Sequence, residues 1–172
     1  MSISKATTAD IPALVKLVNS AYRGEASTKG WTTEAHLLKG ELRTDEATVL
    51  QQFNNFNSVI LKFTSNGSDI MGCVYLDQQE DKLYLGMLSV SPTAQSQGIG
   101  KKLLAAAEQF AKEQQCAFIY MTVISVRHEL IEWYKRNGYS ITGEKKPFPT
   151  DERFGIPTQP LEFIVLKKSI SQ

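Results

Sequence analysis

The stretch Leu88-Ser89-Val90-Ser91-Pro92, followed after two residues by Gln95-Ser96-Gln97-Gly98-Ile99-Gly100-Lys101-Lys102-Leu103-Leu104, decides how the chain is read. An apolar strand ends at Pro92, a short polar loop turns, and glycines open a helix. Ile99, Leu103, Ala106 and Phe110 recur at helical spacing, while Lys102, Gln109 and Glu113 lie elsewhere on the wheel. At such a start the first backbone N–H groups lack intrahelical partners, and the positive end of the helix dipole points the same way. Glycine lets an anion approach that backbone closely. The loop is therefore a candidate phosphate site, with Lys101 and Lys102 adding charge. An ordinary glycine-rich helix start is the competing reading. Two other phosphate loops do not fit. G-x-x-x-x-G-K-S/T fails because Gln95 stands five residues before Gly100 and Lys102 follows Lys101. G-x-G-x-x-G fails because a motif begun at Gly98 ends on Leu103.

Upstream, Ser2 to Ala6 is extended, and a helix begins near Thr8 or Asp10 with Pro12 in its first turn. Ile11, Leu14, Val15, Val18 and Tyr22 carry its apolar face. Gly24 and Gly30 bracket a polar loop. Thr32 or Thr33 caps a second helix with Glu34 in its first turn, and Thr44 starts another whose apolar face is Val49, Leu50 and Phe53. Then the period changes. Ser58–Phe63, Ile70–Leu76 and Lys82–Val90 read as an antiparallel meander, the first two joined by an Asn66-Gly67 turn. Gly86 inside the third strand marks a bulge.

Downstream, Ala117–Ile124 is a near-continuous apolar run, as a central strand has. Glu129–Arg136 is a short helix ended by Asn137-Gly138. Tyr139–Thr142 and Leu161–Leu166 close the chain as strands, and Gly143–Pro160, with four prolines, is read as a long functional loop. The order gives a mixed α/β fold, a sheet covered by helices, with a parallel crossover between Lys82–Val90 and Ala117–Ile124.

The chain has 172 residues, enough for one domain, and residues 1–172 carry no linker that would divide it. Nineteen Lys and Arg against eighteen Asp and Glu leave a formal charge of +1, so no strong field favours nucleic acid. Cys73 and Cys116 are too few for a disulfide framework or a four-ligand zinc site, and a metal site is not supported. The first ten residues lack a signal peptide's pattern, and no apolar run approaches the ~20 residues that span a bilayer. The expectation is a soluble cytoplasmic protein with no membrane partner.

The strand, the Q-S-Q-G-I-G loop and the helix together resemble motif A of the GNAT N-acetyltransferase superfamily, Q/R-x-x-G-x-G/A after a strand ending V-x-P. Trp133-Tyr134-Lys135-Arg136-Asn137-Gly138-Tyr139 is similar to that family's motif B, Y-x-x-x-G-F/Y. The element order matches over nearly the whole chain. The resemblance implies a sheet that splays between Lys82–Val90 and Ala117–Ile124, and acetyl-CoA as acyl donor. It implies pantetheine along the backbone of Leu88, Ser89 and Val90, and pyrophosphate on the N–H groups of Gln95, Ser96, Gln97, Gly98, Ile99, Gly100 and Lys101. It gives Tyr134 the role of proton donor to the leaving thiolate and the Leu88 N–H that of oxyanion donor. Packing alone is the other reading of Tyr134.

Three departures stand out. The loop carries no arginine, Arg127 stands where many members have asparagine, and Lys82–Val90 holds no carboxylate to act as base. The expected acceptor is a primary amine of a small molecule, attacking directly in a ternary complex. The acceptor pocket is expected from the first two helices, their linking loop and the late Pro-rich loop, with Tyr22, Arg23, Trp31, Glu34 and Arg43 in its N-terminal part. Tyr22, Trp31 and Glu34 are the candidate acceptor residues, an aromatic wall with a carboxylate suiting an amine. Each also reads as a partly buried aromatic or a solvated charge, and Glu34 as a first-turn acid. A non-catalytic acyl-CoA-binding sensor and transfer to a protein amine are the alternatives. Leu161–Leu166, read as a sheet edge, predicts a homodimer.

Overall fold

The computed structural model describes residues 2–171. In chain order its regular elements are β1 (Ser2–Lys5), α1 (Ile11–Tyr22), β2 (Leu38–Lys39), α2 (Glu46–Asn54), β3 (Ser58–Thr64), β4 (Ile70–Gln79), β5 (Lys82–Val90), α3 (Ile99–Glu113), β6 (Phe118–Ile124), α4 (His128–Arg136), β7 (Ser140–Pro147), β8 (Ile156–Pro157) and β9 (Glu162–Ser169). Seven strands form one mixed sheet in the order β1-β3-β4-β5-β6-β9-β7, and β2 pairs with β8 in a separate ribbon. Among the described residues only β5 and β6 run parallel, joined through α3. This is the mixed α/β architecture expected from the sequence.

Strand alternation sends side chains to two layers. Ile60, Cys73 and Tyr75 pack with Leu14, Val18 and Ala21 of α1. Leu61, Val74 and Leu76, one residue over, pack with Leu103 and Ala107 of α3 on the opposite face. Local signals set the helix ends. The Asp10 carboxylate accepts the Thr7 N–H at 2.9 Å ahead of α1, and Asp45 accepts the Thr48 N–H at 2.8 Å to cap α2. Gly138, with φ of 96°, ends α4 in the left-handed conformation.

The alternation breaks once, in β5. Leu83 and Leu85 face α3, but Met87 joins the α1 layer and Leu88 returns to the α3 layer. Met87 sits at φ of 56°, and the register with β4 skips from Tyr75–Gly86 to Cys73–Ser89. That is a β-bulge, with the extra residue on β5. On its other edge β5 pairs with β6 only at Lys82, Leu83 and Tyr84. Beyond Tyr84 the two strands part, while β6 stays paired with β9 up to Ile124.

Three expectations are corrected here. Residues 31–37 are turns rather than a second helix, because Glu34 is drawn inward by two arginines. The Gly143–Pro160 segment is not structureless. Its first five residues extend β7, Glu152–Phe154 forms a helical turn, and Ile156–Pro157 pairs with β2. Finally β9 lies between β6 and β7, so Leu161–Leu166 is no edge, and the argument drawn from it for a dimer lapses. The edge strand is β7, whose Glu144, Lys145, Lys146 and Pro147 are all exposed, as in protected sheet edges. Within α2, only Val49 is fully buried and Leu50 is 44% exposed.

Leu103 is fully buried between α3 and the sheet. Leu103→Ala is expected to lower unfolding free energy by about 2–5 kcal/mol, from lost burial plus a cavity. Leu50→Ala should stay within about 0.5 kcal/mol. Urea unfolding of both variants checks the pair.

Candidate active site

Where β5 and β6 part, the structure holds two cavities. One, of about 520 Å³, opens beside the glycine loop and is lined by Gln95, Ser96, Gly98, Ile99, Gly100 and Lys101. The other, of about 360 Å³, lies between β5, β6 and the late segment carrying Phe148 and Phe154. Tyr22, Leu88, Leu130 and Tyr134 line both. The bulge supplies Leu88 to this shared wall, α4 supplies Leu130 and Tyr134 one turn apart, and α1 supplies Tyr22 from its last turn.

The loop side is built for an anion. Ser96 and Gly98 adopt left-handed backbone, with φ of 67° and 82°. A Cβ on Gly98 would meet nothing within 4 Å, so the approach to the start of α3 is open. The N–H groups of Ile99, Gly100 and Lys101 lie in the first helical turn, where no carbonyl of the helix can take them. Arg136 joins Lys101 at the cavity, whereas Lys102 lies elsewhere, its ammonium 5.7 Å from the Phe63 ring centroid.

The Gln95 side chain shapes the loop. Its Oε1 accepts the Trp31 N–H at 2.7 Å, and its Nε2 donates to Thr32 Oγ1 at 2.7 Å and to the Val90 carbonyl at 3.0 Å. Trp31 accordingly stands on the loop side, 6.1 Å from Trp133 between ring centroids; it shares that cavity with Tyr22 but is absent from the one that Glu34 lines. Gln97 is exposed and lies outside both walls, and Ser89 is buried with its hydroxyl on the Met87 carbonyl at 3.1 Å.

Tyr134 is 5% exposed, its ring edge-on to Trp133 and Tyr139. Burial, reinforced by the neighbouring Tyr22 and Tyr139, holds its phenol well above the ordinary tyrosine range. It is therefore protonated at physiological pH and suited to giving a proton rather than taking one. Burial also raises Tyr22, whose hydroxyl donates to the Leu88 carbonyl. The Cys73 thiol is likewise pushed up to about 12 by burial, which leaves it unreactive at neutral pH.

Glu34 lines the second cavity, but its carboxylate is fully engaged. Arg23 Nη1 donates to Oε1, and Arg127 Nη1 donates to Oε2 at 2.9 Å. Arg127 Nη2 adds the Thr32 carbonyl at 2.6 Å, and Arg23 Nη2 the Phe154 carbonyl at 3.1 Å. This ion triad ties the end of α1, the 31–37 turns, the start of α4 and the late segment together. That segment is also held by Thr158, whose N–H reaches the Leu37 carbonyl at 2.9 Å, and by Phe148 against Phe163. The sequence placed Arg23 and Arg43 in the region of the pocket and singled out Arg127 only as a departure. It pointed to the late segment without naming Phe148 and Phe154, and gave no sign of Leu130, which reaches the wall through tertiary packing. His36 and His128 are exposed. Among the described residues no group of three or more His, Cys, Asp and Glu side chains could hold a metal ion, and no helix is long and apolar enough to cross a membrane.

A mixed sheet opened between its two parallel strands, with a glycine-started helix at the opening, is the N-acyltransferase architecture. The chain matches the structure of ribosomal-protein-S18-alanine N-acetyltransferase from Escherichia coli with a TM-score of 0.74, covering 99% of this chain and 94% of that one at 18% identity. It matches ribosomal-protein-alanine N-acetyltransferase from Brucella melitensis with a TM-score of 0.73, covering 99% and 100% at 21% identity. A nourseothricin acetyltransferase aligns with a TM-score of 0.58 over 67% of this chain and 66% of that one, at 18% identity. At these identities the likeness is one of fold. Among curated protein sequences none matches. The sequence profile of the Acetyltransferase (GNAT) family matches residues 17–139, well over half of the chain, and the protein belongs to that family.

Removing Glu34 leaves two guanidiniums buried with no carboxylate between them. Glu34→Ala is expected to cost about 3–5 kcal/mol of stability, the range for breaking a buried ion pair. Equilibrium denaturation beside the wild type measures it.

Proposed function

We propose that the protein transfers an acetyl group from acetyl-CoA to the primary amine of a small molecule, by direct attack within a ternary complex. The observation that carries this reading is the shared wall: two cavities that meet only across Tyr22, Leu88, Leu130 and Tyr134, at the place where β5 has lost its neighbour. A polyanionic donor fits the loop side. Pyrophosphate fits the free N–H groups from Gln95 to Lys101 with Lys101 and Arg136 beside them. The amides of pantetheine fit the unpaired edge of β5 from Leu88 through Ser89 to Val90. The thioester then reaches the shared wall, and the amine enters from the other cavity.

Attack forms the C–N bond and breaks the C–S bond. The proton lost by nitrogen is balanced by the proton gained by sulfur. Leu88 has no register partner on β4, and its N–H is our candidate for stabilising the oxyanion. Tyr134 donates to the thiolate. The cover over the acceptor cavity, pinned by Arg23, Thr158 and Phe148, supports a small molecule over a peptide, which needs an open groove. Two buried cysteine thiols, Cys73 and Cys116, fit a reducing compartment such as the cytoplasm.

Two variants test the reading. Gly98→Glu puts a carboxylate at the open mouth of the loop, and calorimetry should show CoA binding weakened at least about tenfold; unchanged affinity would remove the loop assignment. Tyr134→Phe keeps the ring and deletes the proton. It should slow thiol release by ~10²–10⁴-fold, or roughly 3–5 kcal/mol of barrier, while CoA affinity shifts by about 1 kcal/mol or less. Wild-type turnover in the Phe variant, with chemistry rate-limiting, would make Tyr134 a packing residue. Tight CoA binding with no thiol release for any amine would favour the sensor reading.

A further inference from the structure

The acceptor cavity holds more positive charge than it neutralises. Arg23, Arg43 and Arg127 line it together with Glu34 and Asp151. Glu34 is shared between Arg23 and Arg127. Asp151 lies at the surface, 3.1 Å from Arg153. Three guanidiniums thus line the cavity against two carboxylates, both of them already engaged, and the lining carries net positive charge.

Arg43 is the side chain placed to use that surplus. Its backbone N–H is fixed by Asn19 Oδ1 at 2.6 Å, and Asn19 Nδ2 returns a bond to the Thr44 carbonyl at 3.2 Å. Among the described residues no carboxylate forms an ion pair with its guanidinium, which stands 6.0 Å from the Tyr22 ring centroid. Arg127 stands 5.8 Å from the same ring. That ring is part of the shared wall, and its hydroxyl reaches the Leu88 carbonyl, so the guanidinium of Arg43 stands beside the wall on the acceptor side. A further donor lines the same cavity. Arg23 is 5% exposed, and its Nε has no hydrogen-bond partner.

We infer that the acceptor carries an acid group on the same small molecule as its amine: an amino-acid-like zwitterion whose carboxylate or phosphonate pairs with Arg43 while the amine faces the shared wall. This rests on the transferase reading above. A guanidinium is suited to a planar or tetrahedral oxyanion, which it can grip with two N–H groups. A purely cationic amine would meet the surplus positive charge with no carboxylate free to receive it. The same field favours the neutral, nucleophilic form of the amine. In the reaction the nitrogen forms a bond to the acetyl carbon, the C–S bond breaks, and the proton leaving nitrogen ends on sulfur, so the acid group is unchanged.

Thiol release from acetyl-CoA is measured with the L-amino acids, each paired with its carboxamide, and with aminomethylphosphonate and 1,4-diaminobutane. Calorimetry of the same compounds against CoA-saturated protein gives a second readout. An acid-bearing acceptor should exceed its uncharged partner at least about tenfold in kcat/KM. Arg43→Gln should raise the KM for that acceptor about tenfold to a hundredfold, the range for losing a charge-assisted bond, and erase the preference over the carboxamide. Arg43→Lys should recover part of it, and CoA affinity of both variants reports an intact fold. Preference for carboxamides or the diamine, or a preference unchanged in Arg43→Gln, would overturn the inference. Should no amine release thiol, the transferase reading falls, but calorimetry still decides here. Acid-dependent binding lost in Arg43→Gln upholds the acid pocket, and no binding by any acid-bearing amine refutes it.

Discussion

The left-handed backbone at Met87 is the constraint on which the site depends. A non-glycine residue there carries strain of about 1–3 kcal/mol, offset by burying Met87 in the α1 layer. One extra residue in β5 has three consequences. It exchanges the faces of the strand, so Leu88 points where a Met87 in register would have pointed. It takes Leu88 out of the ladder with β4. It also bends the strand away from β6, which keeps its own partner in β9 and does not follow. Gly86 leaves room beside the bulge for the Tyr84 ring, which a Cβ there would meet at 2.7 Å. The opening between parallel strands is thus a property of the backbone, and every residue of the shared wall is defined relative to it.

The second organising interaction is the Arg23–Glu34–Arg127 triad. Burying three charges costs several kcal/mol of desolvation per ion, which good geometry and further hydrogen bonds must offset. Both Glu34 oxygens are engaged, and each arginine adds a backbone carbonyl. Arg23 nevertheless shows the strain: burial lowers its affinity for a proton, although Glu34 opposes the effect. The triad also settles what Glu34 can do. Both of its oxygens accept from guanidiniums, so neither is free to face an acceptor, and β5 carries no carboxylate.

Much of this was legible in the sequence where local and global signals agree. The bounds of β5 follow from Lys82 and Pro92, α3 from its glycine start and apolar stripe, and the bulge from a glycine in an apolar strand. Residues 31–37 were misread because Thr32, Thr33 and Glu34 imitate a helix cap. The partner that overrides the imitation, Arg127, lies 93 residues away. The Gly143–Pro160 segment failed for a different reason. Every residue of β7 is exposed, so no alternation marks it as a strand, and β8 has only two residues. With β7 unrecognised past Thr142, β9 looked like an edge. The glycine loop was legible as a motif, whereas the second cavity draws on segments scattered from Tyr22 to Phe163; its N-terminal and late segments could be anticipated, and Leu130 could not.

The neutral loop poses a question that the structure answers by position. Many relatives place arginine within the loop, and here Ser96 and Gln97 carry no charge. Gln95 instead fixes the backbone with three hydrogen bonds, and Gly30 lets its amide come close enough to do so. Charge is moved to the flanks: Lys101 and Arg136 at the mouth, Arg23, Arg43 and Arg127 beyond the shared wall. On the proposed reading, the backbone supplies directional donors where a phosphate needs them, and the cations supply attraction without competing for those positions. The same charge distribution favours anionic groups at both ends of the opening in β5 and β6, and the proposal puts the neutral thioester and the neutral amine at the uncharged middle, Leu88, Leu130 and two protonated tyrosines.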